Sequence, residues 1–249
     1  MTLAIIGGGN LGTAIALGAA KEKVTPAKNI TITRRQPEKL AALKKQGFQT
    51  TSDNLTAVKN SRIIILCVQP KQLTELLQSI NPALKSGKHI LVSTITGIST
   101  EEIAAHVKPG VPIVRAMPNT AIAIGASMTC LCSRDTSESQ LQEIEKLFQA
   151  LGLTLRIEER LMKAATVLAA SGIAFFMRYL RAATQGGIQM GFDAEEAQLI
   201  ATQTARGAAS LLLNQHSHPE IEIDKVTTPE GCTIAGLNEM EHQGLSSAL

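Results

Sequence analysis

The chain divides into an α/β part with a doubly wound, mostly parallel sheet over residues 1–158 and an all-helical part over 159–249. Three observations predict this. Short apolar runs alternate with helix-period segments through the first two thirds, the order that lays helices on both faces of a parallel sheet. One run, Arg62–Val68 (RIIILCV), is apolar on both faces, as buried parallel strands are. After residue 158 no β pattern remains.

Taken in order, Leu3–Ile6 reads as a short strand and Asn10–Glu22 as a helix with small residues on one face. Ile30–Thr33 is a strand. Pro37–Gln46 reads as a helix, with proline in its first turn and Gly47 as its stop. Lys71–Ser79 carries Leu73, Leu76 and Leu77 at helical spacing, with Ile80 continuing the series. His89–Thr94 is a strand, Thr100–His106 a helix and Pro112–Ala116 a strand. Gly125–Ser133 follows so closely that an antiparallel extension of the sheet is expected. Ser137–Ala150 is a helix and Thr154–Ile157 a last short strand.

The second part begins with a helical stretch, 159–191, rich in Ala, Met and Gly. A second long helix, Asp193–Leu213, opens on a capping-box pattern, Asp193 with Glu196. Asn214–Ile223 reads as a polar loop. So much apolar and small-residue surface on helices predicts pairing with a second copy of the chain.

Composition narrows the function. In 249 residues, 44% are hydrophobic and 18% charged, enough to bury a core. The formal charge is only +3 with 2% aromatics, which argues against nucleic-acid binding, a function that needs basic stripes and stacking platforms. No continuous run of about 18 apolar residues stands out, so no membrane span is expected. Met1–Ile6 lacks a basic leader, so no secretory signal is expected. Cys67, Cys130, Cys132 and Cys232 read as reduced thiols of a cytoplasmic protein. Neither they nor the five histidines form a metal-ligand pattern.

Gly7-Gly8-Gly9-Asn10-Leu11-Gly12 matches G-x-G-x-x-G between a strand and a helix, the context that makes the match informative. Gly7 allows the tight turn, Gly9 lets backbone approach a pyrophosphate, and Gly12 lets helix and strand pack. The helix N-terminus then offers free N–H groups to phosphate. The pattern predicts a Rossmann-type dinucleotide site. The second strand ends in Arg34-Arg35, with no acid before Glu38. Arginines pair with a 2′-phosphate that an acid would repel, so NADPH is expected ahead of NADH. Val68-Gln69-Pro70-Lys71, Thr94–Gly97 and Met117–Thr120 fall at carboxyl ends of strands, where such ligands lie. For Asn119, a nicotinamide-binding amide and a plain Pro-Asn turn are equal readings. With no nucleophile triad and no paired carboxylates, the inventory suits hydride transfer.

Three segments resemble the pyrroline-5-carboxylate reductase family: GGGNLG, Arg115–Thr120 (RAMPNT) and Asp224–Leu237 (DKVTTPEGCTIAGL). The last is the most specific. The resemblance implies reduction of a cyclic imine, Δ1-pyrroline-5-carboxylate, to L-proline by NAD(P)H. It implies a helix-swapped homodimer, often built into a decamer. Carried over by motif, Gly7, Gly9, Asn10, Leu11 and Gly12 hold the pyrophosphate, and Arg34 and Arg35 the 2′-phosphate. Asn54 lies near the adenosine ribose, and Val68, Pro70, Gly97, Met117 and Asn119 line the cofactor. The substrate falls to Val226, Thr227, Thr228, Glu230, Gly231, Cys232 and Thr233, with the Thr233 hydroxyl near the imine nitrogen as the catalytic group.

The chain departs from the family at several points. Glu230 replaces the first glycine of a Pro-Gly-Gly turn; if that position needs a positive φ, a side chain there costs about 1 kcal/mol. The S-G-x-G-P-A helix opening of the family reads Ala170-Ser171-Gly172-Ile173-Ala174 here, Arg181 replaces a glutamate, and the basic residue by Pro70 has moved to Lys71. A related imine reductase and a catalytically silent NADP-binding paralogue are the alternatives. A β-hydroxy acid dehydrogenase would need Asn where Val167 stands, four residues after Lys163.

Overall fold

A computed structural model describes residues 1–249 as two compact units, Met1–Phe175 and Phe176–Leu249. The first holds one eight-stranded sheet: β1 (Leu3–Ile6), β2 (Ile30–Thr33), β3 (Gln49–Thr51), β4 (Ile63–Leu66), β5 (Ile90–Ser93), β6 (Ile113–Met117), β7 (Ser127–Arg134) and β8 (Gly152–Arg156). Their order is β3-β2-β1-β4-β5-β6-β7-β8. Every neighbouring pair is parallel except β6–β7, so β7 and β8 run together against the rest. The expected antiparallel extension is there. The strand order turns back between β1 and β4, which opens a crevice at their carboxyl ends.

Helices cover both faces of the central strands, which is why those strands read as unbroken apolar runs, whereas Leu153 and Leu155 of β8 stay exposed. On one face Ile5, Ile32, Ile65 and Val92 pack with Ile15, Ala16 and Ala19 of α1 (Asn10–Lys21), and with Ile144, Leu147 and Phe148 of α6 (Glu138–Gln149). On the other, Ile6, Ile64 and Leu91 meet Val58 of α3 (Asn54–Lys59), Leu77 and Ile80 of α4 (Leu73–Ile80) and Ile103 of α5 (Thr100–Ala104).

Several elements differ from expectation. The Pro37–Gln46 segment is a 3-10 turn, Pro37–Leu40, leading into a short α2 (Ala41–Lys45). Pro70–Gln72 is likewise 3-10, so α4 starts at Leu73. β3 and α3 carry no clear pattern in the sequence. QTT offers no apolar alternation, and its residues are exposed or half-buried at the sheet edge. α3 buries only Ala57 and Val58.

Beyond β8, Met162–Ala165 (α7), a π-helical turn at Thr166–Ser171 and α8 (Gly172–Gln189) follow one another. The helical stretch Glu159–Gln189 is long and apolar enough to span a membrane, although no uninterrupted apolar run exists, which corrects the expectation drawn from run length. In the second unit, α9 (Ala194–Gln215) is capped by Asp193, with Glu196 completing the expected box. Gly187 allows close approach, since a Cβ there would lie 2.9 Å from the Cβ of Ala197. The presumed polar loop after residue 213 contains α10 (Pro219–Val226), started by Pro219 and by His218, whose Nδ1 accepts the Glu220 N–H. α11 (Cys232–His242) and α12 (Leu245–Ala248) end the chain.

Candidate active site

The glycine loop is dictated by space. Gly7 has φ +112°, and a Cβ on it would lie 2.3 Å from the Cys67 carbonyl oxygen. A Cβ on Gly12 would lie 2.2 Å from the Gly7 oxygen. The loop is pinned to β2, because the Gly7 and Gly8 N–H groups both donate to the Thr33 carbonyl. Gly9 differs: nothing lies within 4 Å of a Cβ there. It is the N-cap of α1 and supplies no side-chain acceptor. The N–H groups of Asn10, Leu11 and Gly12 therefore face outward without intrahelical partners, which fits a dinucleotide pyrophosphate.

At the end of β2, Arg34 donates its backbone N–H to Thr51 on β3 and its Nη1 to the Gly8 carbonyl at 3.0 Å. Part of its guanidinium thus braces the loop, while Arg35 is exposed. Asn54, half-buried, is the first residue of α3. Its neighbour Asp53 caps that helix. The Thr56 hydroxyl and N–H hold the Asp53 carboxyl below the usual carboxylate range.

At the carboxyl ends of the central strands, Val68 is half-buried and Pro70 exposed. Cys67 lies beneath, its thiol pushed up to about 12 by burial, so it stays protonated and unreactive. The Thr94 hydroxyl donates to the Leu66 carbonyl at 2.9 Å and anchors the loop that carries Gly97, whose φ is +81°. Met117 is buried beneath Thr96. Asn119 is already committed. Its Oδ1 accepts the Ala121 N–H at 3.0 Å, and its Nδ2 donates to the Ala169 carbonyl in the π-helical turn at 3.3 Å. Of the two readings left open for it, the turn explains the side chain.

One cluster carries little signal in the sequence. Glu159 accepts the Thr100 N–H at 2.7 Å, the Thr100 hydroxyl, and Arg115 Nη1 at 3.0 Å. Arg115 lies in the middle of β6 and is only 6% exposed. The three residues are far apart in sequence. The sole hint was a charged residue inside an apolar strand.

In the second unit, Thr228, Pro229, Glu230 and Gly231 form a turn closed by the Gly231 N–H on the Thr228 carbonyl, 3.0 Å. Proline second and a positive φ third is the type II pattern, and that third position normally takes glycine. Here it is Glu230, with φ +59°. The position does require the left-handed region. Gly231 follows as the bare N-cap of α11, and a Cβ on it would meet the Thr228 hydroxyl at 2.5 Å. Cys232 is exposed and Thr233 half-buried, in the first turn. The Thr227 hydroxyl turns back to the Ile223 carbonyl, and Val226 is the exposed last residue of α10.

α1 and α11 thus share a property. Their glycine N-caps, like that of the one-turn α12, leave first-turn amides open, whereas Asp53, Ser99, Ser137, Asp193 and His218 cap α3, α5, α6, α9 and α10 with side chains.

The profile of a family described as pyrroline-5-carboxylate reductase dimerisation matches residues 159–249, and that of the coenzyme F420-dependent NADP oxidoreductases matches residues 2–97. Pyrroline-5-carboxylate reductase 2 of Dictyostelium discoideum is 46% identical over 99% of this chain and 88% of its own. The chain belongs to the pyrroline-5-carboxylate reductase family. Pyrroline-5-carboxylate reductase 1 of the same organism is 47% identical over 99% of this chain, which spans 47% of that relative's length. The solved structure of the Coxiella burnetii reductase superposes with a TM-score of 0.91 at 28% identity, covering 99% of this chain and 92% of that one.

Proposed function

We propose that the protein reduces Δ1-pyrroline-5-carboxylate to L-proline with NADPH, the last step of proline biosynthesis. Residues 1–158 bind the cofactor, and residues 159–249 serve dimerisation and the substrate. The observation that carries this is that two helices of more than two turns, α1 and α11, open on glycine N-caps: a pyrophosphate and a carboxylate are the two anions the reaction brings, and the open first-turn amides of these two helices suit them.

In this reading Gly7, Gly9 and Gly12 shape the cradle, and the Asn10, Leu11 and Gly12 N–H groups bind the pyrophosphate. Arg35, with the remaining donors of Arg34, takes the 2′-phosphate, and Asn54 lies by the ribose. Val68, Pro70, Gly97, Met117 and Asn119 border the nicotinamide end, Asn119 through its backbone and the turn it braces. The cofactor supplies the hydride that adds to the imine carbon. The Cys232, Thr233 and Ile234 N–H groups hold the substrate carboxylate. The Thr233 hydroxyl stands by the imine nitrogen, which carries the proton that completes the amine. Val226, Thr227, Thr228, Glu230 and Gly231 shape the turn, with the Glu230 carboxylate pointing away from the bound anion.

The active form is a helix-swapped homodimer capable of further assembly into a decamer. The matched dimerisation family and the exposed apolar side chains of α8 and α9 support self-association. Four free thiols support a cytoplasmic location. The test is NADPH oxidation with pyrroline-5-carboxylate at near-neutral pH, with NADH as comparator. Turnover favouring NADPH is expected. Turnover favouring NADH would remove the role of Arg34 and Arg35, and no turnover with tight NADPH binding would overturn the assigned reaction.

A further inference from the structure

We infer that Glu159 is a positioning residue for the cofactor's reactive end, acting through Thr100 and the loop that carries Gly97. This rests on the cofactor reading above.

The loop from Thr94 to Ser99 joins β5 to α5 at the carboxyl edge of the sheet. Its start is held by the Thr94 hydroxyl on the Leu66 carbonyl. Its end is held by Glu159, which takes both the N–H and the hydroxyl of Thr100, the first residue of α5. Between these anchors Gly97 is exposed, with nothing within 4 Å of a Cβ. A loop with two fixed ends and an open middle presents backbone to a ligand in a set place.

The anchor does more than add stability. Arg115 is buried and its Nε has no partner, an arrangement that costs free energy, and its only ion pair is Glu159. Burial would raise the pKa of Glu159, but the Thr100 hydroxyl and N–H and the Arg115 guanidinium bring it below the ordinary carboxylate range. The carboxylate is therefore ionised at neutral pH, with donors from two elements fixed on it. Glu159 also opens the helical stretch 159–189, so it ties the start of that stretch to the loop. The Asn119–Ala169 hydrogen bond holds the same stretch at a second point.

The test is Glu159→Gln in the full chain, with Thr100→Val beside it. Glutamine keeps the shape and one acceptor. Valine keeps the shape and leaves the Arg115–Glu159 pair intact. For Glu159→Gln the NADPH Kd should rise about threefold to tenfold, the effect of losing one or two hydrogen bonds. kcat should fall about tenfold through misplacement, with KM for pyrroline-5-carboxylate little changed. The primary isotope effect with NADPH deuterated at C4 should rise, because hydride transfer becomes slower. Thr100→Val should move the same quantities in the same direction by about twofold to threefold. Variants with wild-type Kd, kcat per folded site and isotope effect, and only a lower melting temperature, would overturn the inference. If the wild type itself does not turn over, the functional reading falls, and the ratio of NADPH Kd values still decides this one.

Discussion

The two units use apolar residues in opposite ways. In Met1–Phe175 the strands bury nearly every aliphatic side chain between two helical layers, and Phe148, Ile5 and Ile65 are fully enclosed. In Phe176–Leu249 only Thr184, Gly187 and Ala197 are buried, while Phe176, Met190 and Leu199 are each 70% exposed or more. The first unit has a core of its own. The second is a pair of long helices and a tail whose apolar side chains have no cover within the chain, and it lies in the stretch matched by the dimerisation family. Burying a large side chain is worth about 1.5–3 kcal/mol, so a dozen uncovered ones are a strong drive to associate.

Breaking that contrast should give the largest effect. Phe176→Glu with Leu199→Glu places charges on the uncovered faces. Sedimentation should report monomers and activity should fall more than about 100-fold, as several kcal/mol of association are lost. NADPH binding by the first unit should persist. An active dimer would show that these faces are not the interface.

Next, Gly9→Ala separates ligand space from fold space. A Cβ there meets no protein atom, so the melting temperature should not change. NADPH affinity should fall about tenfold or more from collision with the pyrophosphate, measured by fluorescence titration.

The thiols sharpen the comparison chemically. Cys67 and Cys132 are held near 12 and 11 by burial, and burial also raises Cys130, whereas Cys232 is exposed. A thiol reagent should label one cysteine per native chain, with loss of most activity and protection by NADPH plus proline. Full activity after complete labelling would remove Cys232 from the site.

Glu230→Gly relieves the left-handed strain in the Thr228–Gly231 turn. It should stabilise the protein by about 1 kcal/mol in urea unfolding.

The smallest effect concerns His89, buried in the first unit, where its Nδ1 accepts the Lys85 N–H at 2.9 Å. Burial, then Lys88 and Lys85, lower its pKa from 6.5. The unfolded chain therefore takes up a proton first as pH falls below 6.5, so stability declines from there toward the folded value. One proton sets a ceiling of about 1.4 kcal/mol per pH unit. His89→Asn, which keeps an acceptor for Lys85, should flatten that part of the stability–pH curve.

What could be read from sequence follows the same division. The glycine loop, β1 and β4 were legible because buried parallel strands are apolar at every position, and because the loop tolerates no other residue at Gly7 and Gly12. The capping box of α9 was legible because it is local. β3, α3 and α10 were not, since three to eight residues at an edge or in a polar stretch carry little periodicity. The position of Arg34 points to a phosphate ligand, and its additional bond to Gly8 is not legible because it depends on how β2 and the loop meet in space. The Arg115–Glu159–Thr100 cluster joins residues from three elements and could be seen only in the fold.

The bare glycine caps of α1 and α11 bear on how long the protein survives in a cell. A helix whose cap is a metabolite is completed only when that metabolite is present, and on the proposed reading each ligand adds its binding free energy to folding. The supply of reduced cofactor would then set resistance to proteolysis, and starvation for it would shorten the lifetime of the protein as well as slow its reaction.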